Sequence, residues 1–363
     1  MLTVFFLSSF LVIGLGSLPL WRLAILRLQK HQSIVELRER VSSPFGLIDV
    51  AIMFLTWVIG QAMSVGIAAM VLESDFRGLE KLGGTETAIL MCVVAVGQFV
   101  FTGIGMFLIW MRYHHWEIFG VQKSQFSGDV RIGMLAFVMV VPAILLLQWA
   151  LTFLVPYEHL TLELLSKNGS LLTILSTWLT AVLVAPICEE VFFRGILQSW
   201  LQRLGHRGNA RFEQTITGGW GSQEAFEPAV PALQPAEAKS NFEPASLPLE
   251  FDPCVIPGPI LRVASLSDAR QVSMPLVKAD SSAIWMPIIV SAAVFGLAHV
   301  GQGAAPIPLF VFGLALGYLY RQTGRILPCI VLHMGLNGFS MFWFTLQILF
   351  PESDVLSTIP LSE

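Results

Sequence analysis

The sequence predicts an all-α fold: a polytopic membrane helical bundle of about eight transmembrane helices, with a Pro-rich cytoplasmic insertion. Three observations predict it. Hydrophobic residues make up 55% of the 363-residue chain and charged residues only 13%, where a soluble domain carries about 25% charged residues. Apolar runs near the length that spans a bilayer, about 20 residues, recur along the chain. Lysine and arginine alternate between the connections, with 17 on one side, 3 on the other and Arg194 inside a run.

The runs fall at 2–21, 46–72, 87–111, 132–155, 170–187 (continuing into a charged motif), 284–300, 305–320 and 327–350. No basic residue precedes the first and no small-residue cleavage site follows it, so it reads as a spanning helix rather than a cleaved signal peptide. The sixth and seventh are short and Gly-rich, as segments lying against a cavity tend to be. The basic connections are 22–45, 112–131, 203–283 and the link holding Arg321 and Arg325. The positive-inside rule puts these in the cytoplasm and both termini outside it. The charged motif then falls toward the cytoplasmic end of the fifth helix. Residues 205–282 hold nine prolines and no sustained helical period, a composition that favours extended chain. A tolerated linker is the plain reading of this insertion, and a small β-rich fold over 251–277 is the alternative. The expected organisation is 1–130 as N-terminal transmembrane helices, 131–204 with 283–350 as the core, 205–282 as the insertion and 351–363 as a tail.

The net charge of -4 argues against a nucleic-acid partner. The four cysteines (Cys92, Cys188, Cys254, Cys329) show neither pairing nor metal-ligand spacing. Membrane lipid is an expected partner, and the sequence carries no signal for an oligomeric state.

The chemistry concentrates in three runs. LLTILSTWLTAVLVAPICEEVFFRGILQSWL (171–201) contains Glu189, Glu190 and Arg194. Ionised side chains at mid-helix cost about 2.5–3.5 kcal/mol each on insertion scales, so three unpaired would cost roughly 8–10 kcal/mol. Glu190 and Arg194 are i,i+4 and share a face, while Glu189 points about 100° away. SAAVFGLAHVG places Phe295 and His299 at i,i+4, and IVLHMGLNGFSMF does the same for His333 and Asn337. Each element has a plain reading: an interhelical hydrogen bond for a histidine or Asn337, a structural pair for Glu190 with Arg194. Taken jointly, the strongly polar groups of the spans collect in three of them, as they would around one wet cavity. A carboxylate beside an imidazole can take a proton from a bound water, and a second imidazole and an amide can donate to an oxyanion. This set suits amide hydrolysis without a covalent intermediate. Two histidines and a glutamate are also a zinc donor set, although the spacing lacks the HExxH arrangement.

These motifs resemble those of the CAAX prenyl protease and bacteriocin-processing family of intramembrane endopeptidases. EEVFFRGIL (189–197) is similar to its EExxxR motif, FGLAH (295–299) to FxxxH, and HMGLN (333–337) to HxxxN/D. The stretch GLALGYLYRQTGRILPCIVLH (313–333) also has that family's character, and the resemblance extends over about 130–350. It implies that Glu189 and His299 activate the attacking water, that His333 and Asn337 stabilise the oxyanion, that Glu190 and Arg194 form a supporting pair, and that Phe295 lines the substrate cavity. It further implies a protein or peptide substrate, a bacterial inner-membrane location with the active site toward the cytoplasm, and a glutamate-type mechanism without a cofactor. Zinc stays a candidate, since the family has also been classed as metalloproteases. The 110 positions from Glu189 to His299 exceed the family's usual spacing, and the insertion accounts for the excess. Two other classes compete: a non-catalytic immunity or scaffold protein of the same fold, and a proton-coupled transporter, which also uses buried Glu and His.

Overall fold

The computed structural model describes residues 2–38, 40–41, 43–73, 82–120, 125–155, 165, 169–206, 276–277 and 285–350. The expectations for most of the insertion and for the tail 351–363 lie outside these residues. The described residues form eight helices: α1 (Leu2–Gln29), α2 (Leu47–Val71), α3 (Gly84–Tyr113), α4 (Phe126–Thr152), α5 (171–206), α6 (Trp285–Leu297), α7 (Pro306–Thr323) and α8 (Leu327–Leu349). Six of them are long and apolar enough to cross a membrane, α6 is a shorter apolar helix, and the chain is a multi-pass integral membrane protein. A two-residue antiparallel pairing joins β1 (Arg40–Val41) to β2 (Leu276–Val277), in the register Arg40 to Val277.

Several boundaries differ from the sequence expectation, α4 starting six residues earlier at Phe126, and two of the differences have a clear local reason. α1 continues eight residues further because WRLAILRLQ contains no helix breaker. Arg22 and Arg27, expected in a loop, therefore lie on the last turns, where long basic side chains reach past the apolar zone. Arg27 pairs with Glu36 at 3.0 Å, and Trp21 Nε1 donates to Met139 O of α4 at 3.1 Å. α5 runs on to residue 206, so Glu189 sits midway along it rather than toward its C-terminal end.

α5 is not uniform. Ser170 caps it by accepting from Thr173 N–H at 3.2 Å. Two π-helical stretches, Leu179–Val184 and Val191–Gln198, flank the α-helical turn Ala185–Glu190. Pro186 lies at the start of that turn. It has no N–H and its ring crowds the carbonyl four residues back, so the preceding turn widens to five-residue bonds.

α5 is also the central element, touching α2, α3, α6, α7 and α8. Around it α2 packs on α3, α6 on α7, and α4 on both α1 and α8. Small residues permit the closest approach. A Cβ on Gly133 of α4 would lie 2.8 Å from Pro328 O of α8, and one on Gly335 of α8 would lie 2.5 Å from the Phe137 ring.

Charged groups are more widely spread than three spans. Asp49, in the first turn of α2, accepts from Gly46 N–H and Tyr113 Oη, each at 2.8 Å, and pairs with Arg112. Arg203 of α5 donates to Phe45 O at 2.9 Å. Asp129, in the first turn of α4, pairs with Arg325 at 2.6 Å and Arg38 at 3.8 Å. These carboxylates are tolerated because each sits at a helix N-terminus, where the backbone dipole favours a negative charge, and each has arginine partners. The ends of α3 and α5, the starts of α2 and α4 and the α7–α8 link thus form one basic, ion-paired end of the bundle.

Candidate active site

Glu190 points into the bundle and is fully buried. Its Oε1 accepts from His333 Nδ1 at 2.9 Å, and its Oε2 lies 3.2 Å from Arg194 Nε, the i,i+4 pair expected from spacing. Arg194 is equally buried. Its guanidinium stacks 4.7 Å from the Phe295 ring centroid and 5.8 Å from that of Phe193, with Nη2 3.4 Å from Gly313 O. A carboxylate, a guanidinium, an imidazole and two aromatic faces together offset the desolvation that any one of them would suffer alone.

Hydrogen-bond partners fix both imidazoles. The Glu190 carboxylate can only accept, so His333 Nδ1 carries the proton, and His333 Nε2 faces Glu189 Oε2 at 3.9 Å. His299 lies in the turn just past the end of α6, not within the helix as expected. Its backbone N–H goes to Gly296 O at 3.0 Å, so Phe295 O loses its ordinary helical donor. The His299 ring replaces that donor, Nδ1 to Phe295 O at 2.8 Å, and its Nε2 carries the free lone pair. Gly301 and Gly303, with φ of +100° and +58°, turn the chain toward α7.

Glu189 and His299 both line a cavity of about 340 Å³. Trp57 and Gln61 of α2, Gln98 of α3, Phe193 of α5 and Gln302 of the α6–α7 turn complete most of the wall. Phe295 does not line this cavity. It is fully buried behind it, edge-on to His299 at 5.1 Å and His333 at 5.7 Å, and Phe193 is the phenylalanine at the wall. His333 stands behind Glu189 rather than at the wall. Asn337 Nδ2 donates to Ala181 O at 2.8 Å.

A zinc ion would need three of these donors to converge. Both Nδ1 atoms are committed elsewhere, and among the described residues no three His, Cys, Asp or Glu side chains are gathered in a way that could hold a metal ion. As placed, the residues do not fit zinc. Cys92, Cys188 and Cys329 are free thiols.

Motif reasoning missed the three glutamines and the two helix-start aspartates. Their signal was present, since Gln61 and Gln98 interrupt WVIGQAMSV and AVGQFVF. A lone neutral amide in an apolar run does not reveal which way it faces.

A family model described as type II CAAX prenyl endopeptidase, Rce1-like, matches residues 171–220 and 269–339. This stretch contains all three motifs, in agreement with the resemblance read from them. No curated protein and no solved structure matches the chain.

Proposed function

We propose that the chain, similar over α5 to α8 to type II CAAX prenyl endopeptidases, hydrolyses a peptide bond within the membrane, with Glu189 and His299 activating the attacking water. The observation that supports this reading is that these two side chains, 110 positions apart, line one cavity. Nothing in helix periodicity requires them to share it.

A water between the Glu189 carboxylate and His299 Nε2 has one hydrogen accepted by each. Its oxygen attacks the substrate carbonyl carbon while Glu189 takes the proton. The carbonyl oxygen becomes an oxyanion. In this reading His333, held by its Nδ1 bond to Glu190, and the second amide hydrogen of Asn337 are the groups that stabilise the oxyanion. Glu189 then returns its proton to the amide nitrogen, the C–N bond breaks, and the two peptide ends leave. Glu190 and Arg194 hold His333 in place. In this reading the mechanism is of the glutamate type. The basic end of the bundle faces the cytoplasm of a bacterial cell, in agreement with the distribution of lysine and arginine.

The test is cleavage of internally quenched peptides by protein reconstituted in lipid vesicles. Glu189→Gln should insert and fold normally yet lose about 10²–10⁴-fold in turnover. Unchanged turnover would remove Glu189 from the chemistry, leaving the non-catalytic reading of the same fold.

A further inference from the structure

Three primary amides share the cavity with Glu189: Gln61 from α2, Gln98 from α3 and Gln302 from the α6–α7 turn. They come from three separate elements, and among the described residues none of the three side chains has a hydrogen-bond partner. Gln98 is the most telling. It is only 6% exposed yet lines the cavity, so the partners of its amide are whatever the cavity holds.

The chemistry of the wall narrows what that something is. Each primary amide offers two donors and one acceptor, which complements the C=O and N–H of a peptide unit. Trp57 and Phe193 add apolar surface, and the wall has no lysine or arginine. A free C-terminal carboxylate placed here would find no cation and would face Glu189. An uncharged, extended internal segment of peptide has its main-chain groups matched and its apolar side chains accommodated.

We propose that Gln61, Gln98 and Gln302 are substrate-binding residues that hold the main chain of an extended, uncharged peptide segment across Glu189. This rests on the endopeptidase reading above and specifies its substrate: an internal stretch of apolar chain, recognised through its backbone more than through side-chain identity.

The experiment uses the full chain in lipid vesicles and a set of internally quenched apolar decapeptides. In each peptide, one non-scissile amide is replaced by an ester, which removes a single N–H. For the unmodified chain, one or two ester positions should lower kcat/KM by about tenfold, the loss of one hydrogen bond. Gln98→Met should lower kcat/KM on the all-amide peptide by about the same factor and show no further loss at its own ester position. Gln61→Met and Gln302→Ala carry the same comparison at their own positions and serve if Gln98→Met does not fold. Ester profiles that are identical in the unmodified chain and in the glutamine variants overturn the proposal while leaving peptide cleavage standing. Failure of the unmodified chain to cleave any all-amide peptide overturns the endopeptidase reading, and this proposal with it.

Discussion

Asn337 donates its amide to Ala181 O at 2.8 Å, and Ala181 is the residue whose carbonyl Pro186 leaves without a helical donor. In the widened turn, Ala185 N–H bonds Thr180 O. The next five-residue bond, to Ala181 O, would need an N–H that proline lacks. One side chain of α8 thus satisfies the widened turn of α5 just ahead of Glu189.

This relationship separates two jobs of Asn337. Asn337→Ala should destabilise the protein by about 1 kcal/mol, the loss of one hydrogen bond to a partly buried carbonyl, and also reduce turnover. Adding Pro186→Ala restores an N–H at 186. The double variant should recover much of the stability, measured by unfolding in detergent, but not the turnover if the second amide hydrogen serves the oxyanion. Recovery of both would leave Asn337 a purely structural role.

The Glu190–Arg194–His333 group should behave as a unit. Removing either charge alone leaves the other buried and uncompensated, a loss of about 3–5 kcal/mol. Glu190→Leu and Arg194→Leu should each accumulate poorly, and the paired Leu variant should be more stable than either. Simple additivity of the two losses in thermal unfolding would contradict the 3.2 Å pairing.

At His299 the two ring nitrogens can be tested apart. Asparagine places an N–H where Nδ1 lies but has nothing at Nε2. His299→Asn should keep the bond to Phe295 O and cost under about 1 kcal/mol of stability, while turnover falls by roughly 10²–10⁴-fold. A stable His299→Asn variant with ordinary turnover would take Nε2 out of the water-activating step.

Metal removal distinguishes the glutamate reading from a zinc one. Protein stripped with a strong chelator and assayed in chelated buffer should cleave test peptides at its original rate. Activity lost on chelation and restored by zinc alone would require a donor set different from the one described.

The fold was legible in the sequence because its signals are local. Eight apolar runs and their approximate positions follow from composition within windows of about 20 residues. The Glu190–Arg194 pairing was equally legible, since both residues lie on one helix and its pitch brings them together. Even the departures have short-range causes: an unbroken WRLAILRLQ carries α1 further, and the turn at Gly301 and Gly303 leaves His299 beyond its helix.

By itself, then, the sequence determined the helices, their count and which polar groups each one carries. Only the tertiary structure decided that His333 meets Glu190 from 143 positions away, that Phe295 stands behind the cavity and Phe193 at its wall, and that three unremarked glutamines share the cavity with Glu189. The reason is physical. Helix geometry fixes the relative direction of side chains within one segment. Which face of one segment meets which face of another depends on close packing at glycines and on the widened turns around Pro186, which change the phase of α5 on both sides of the site.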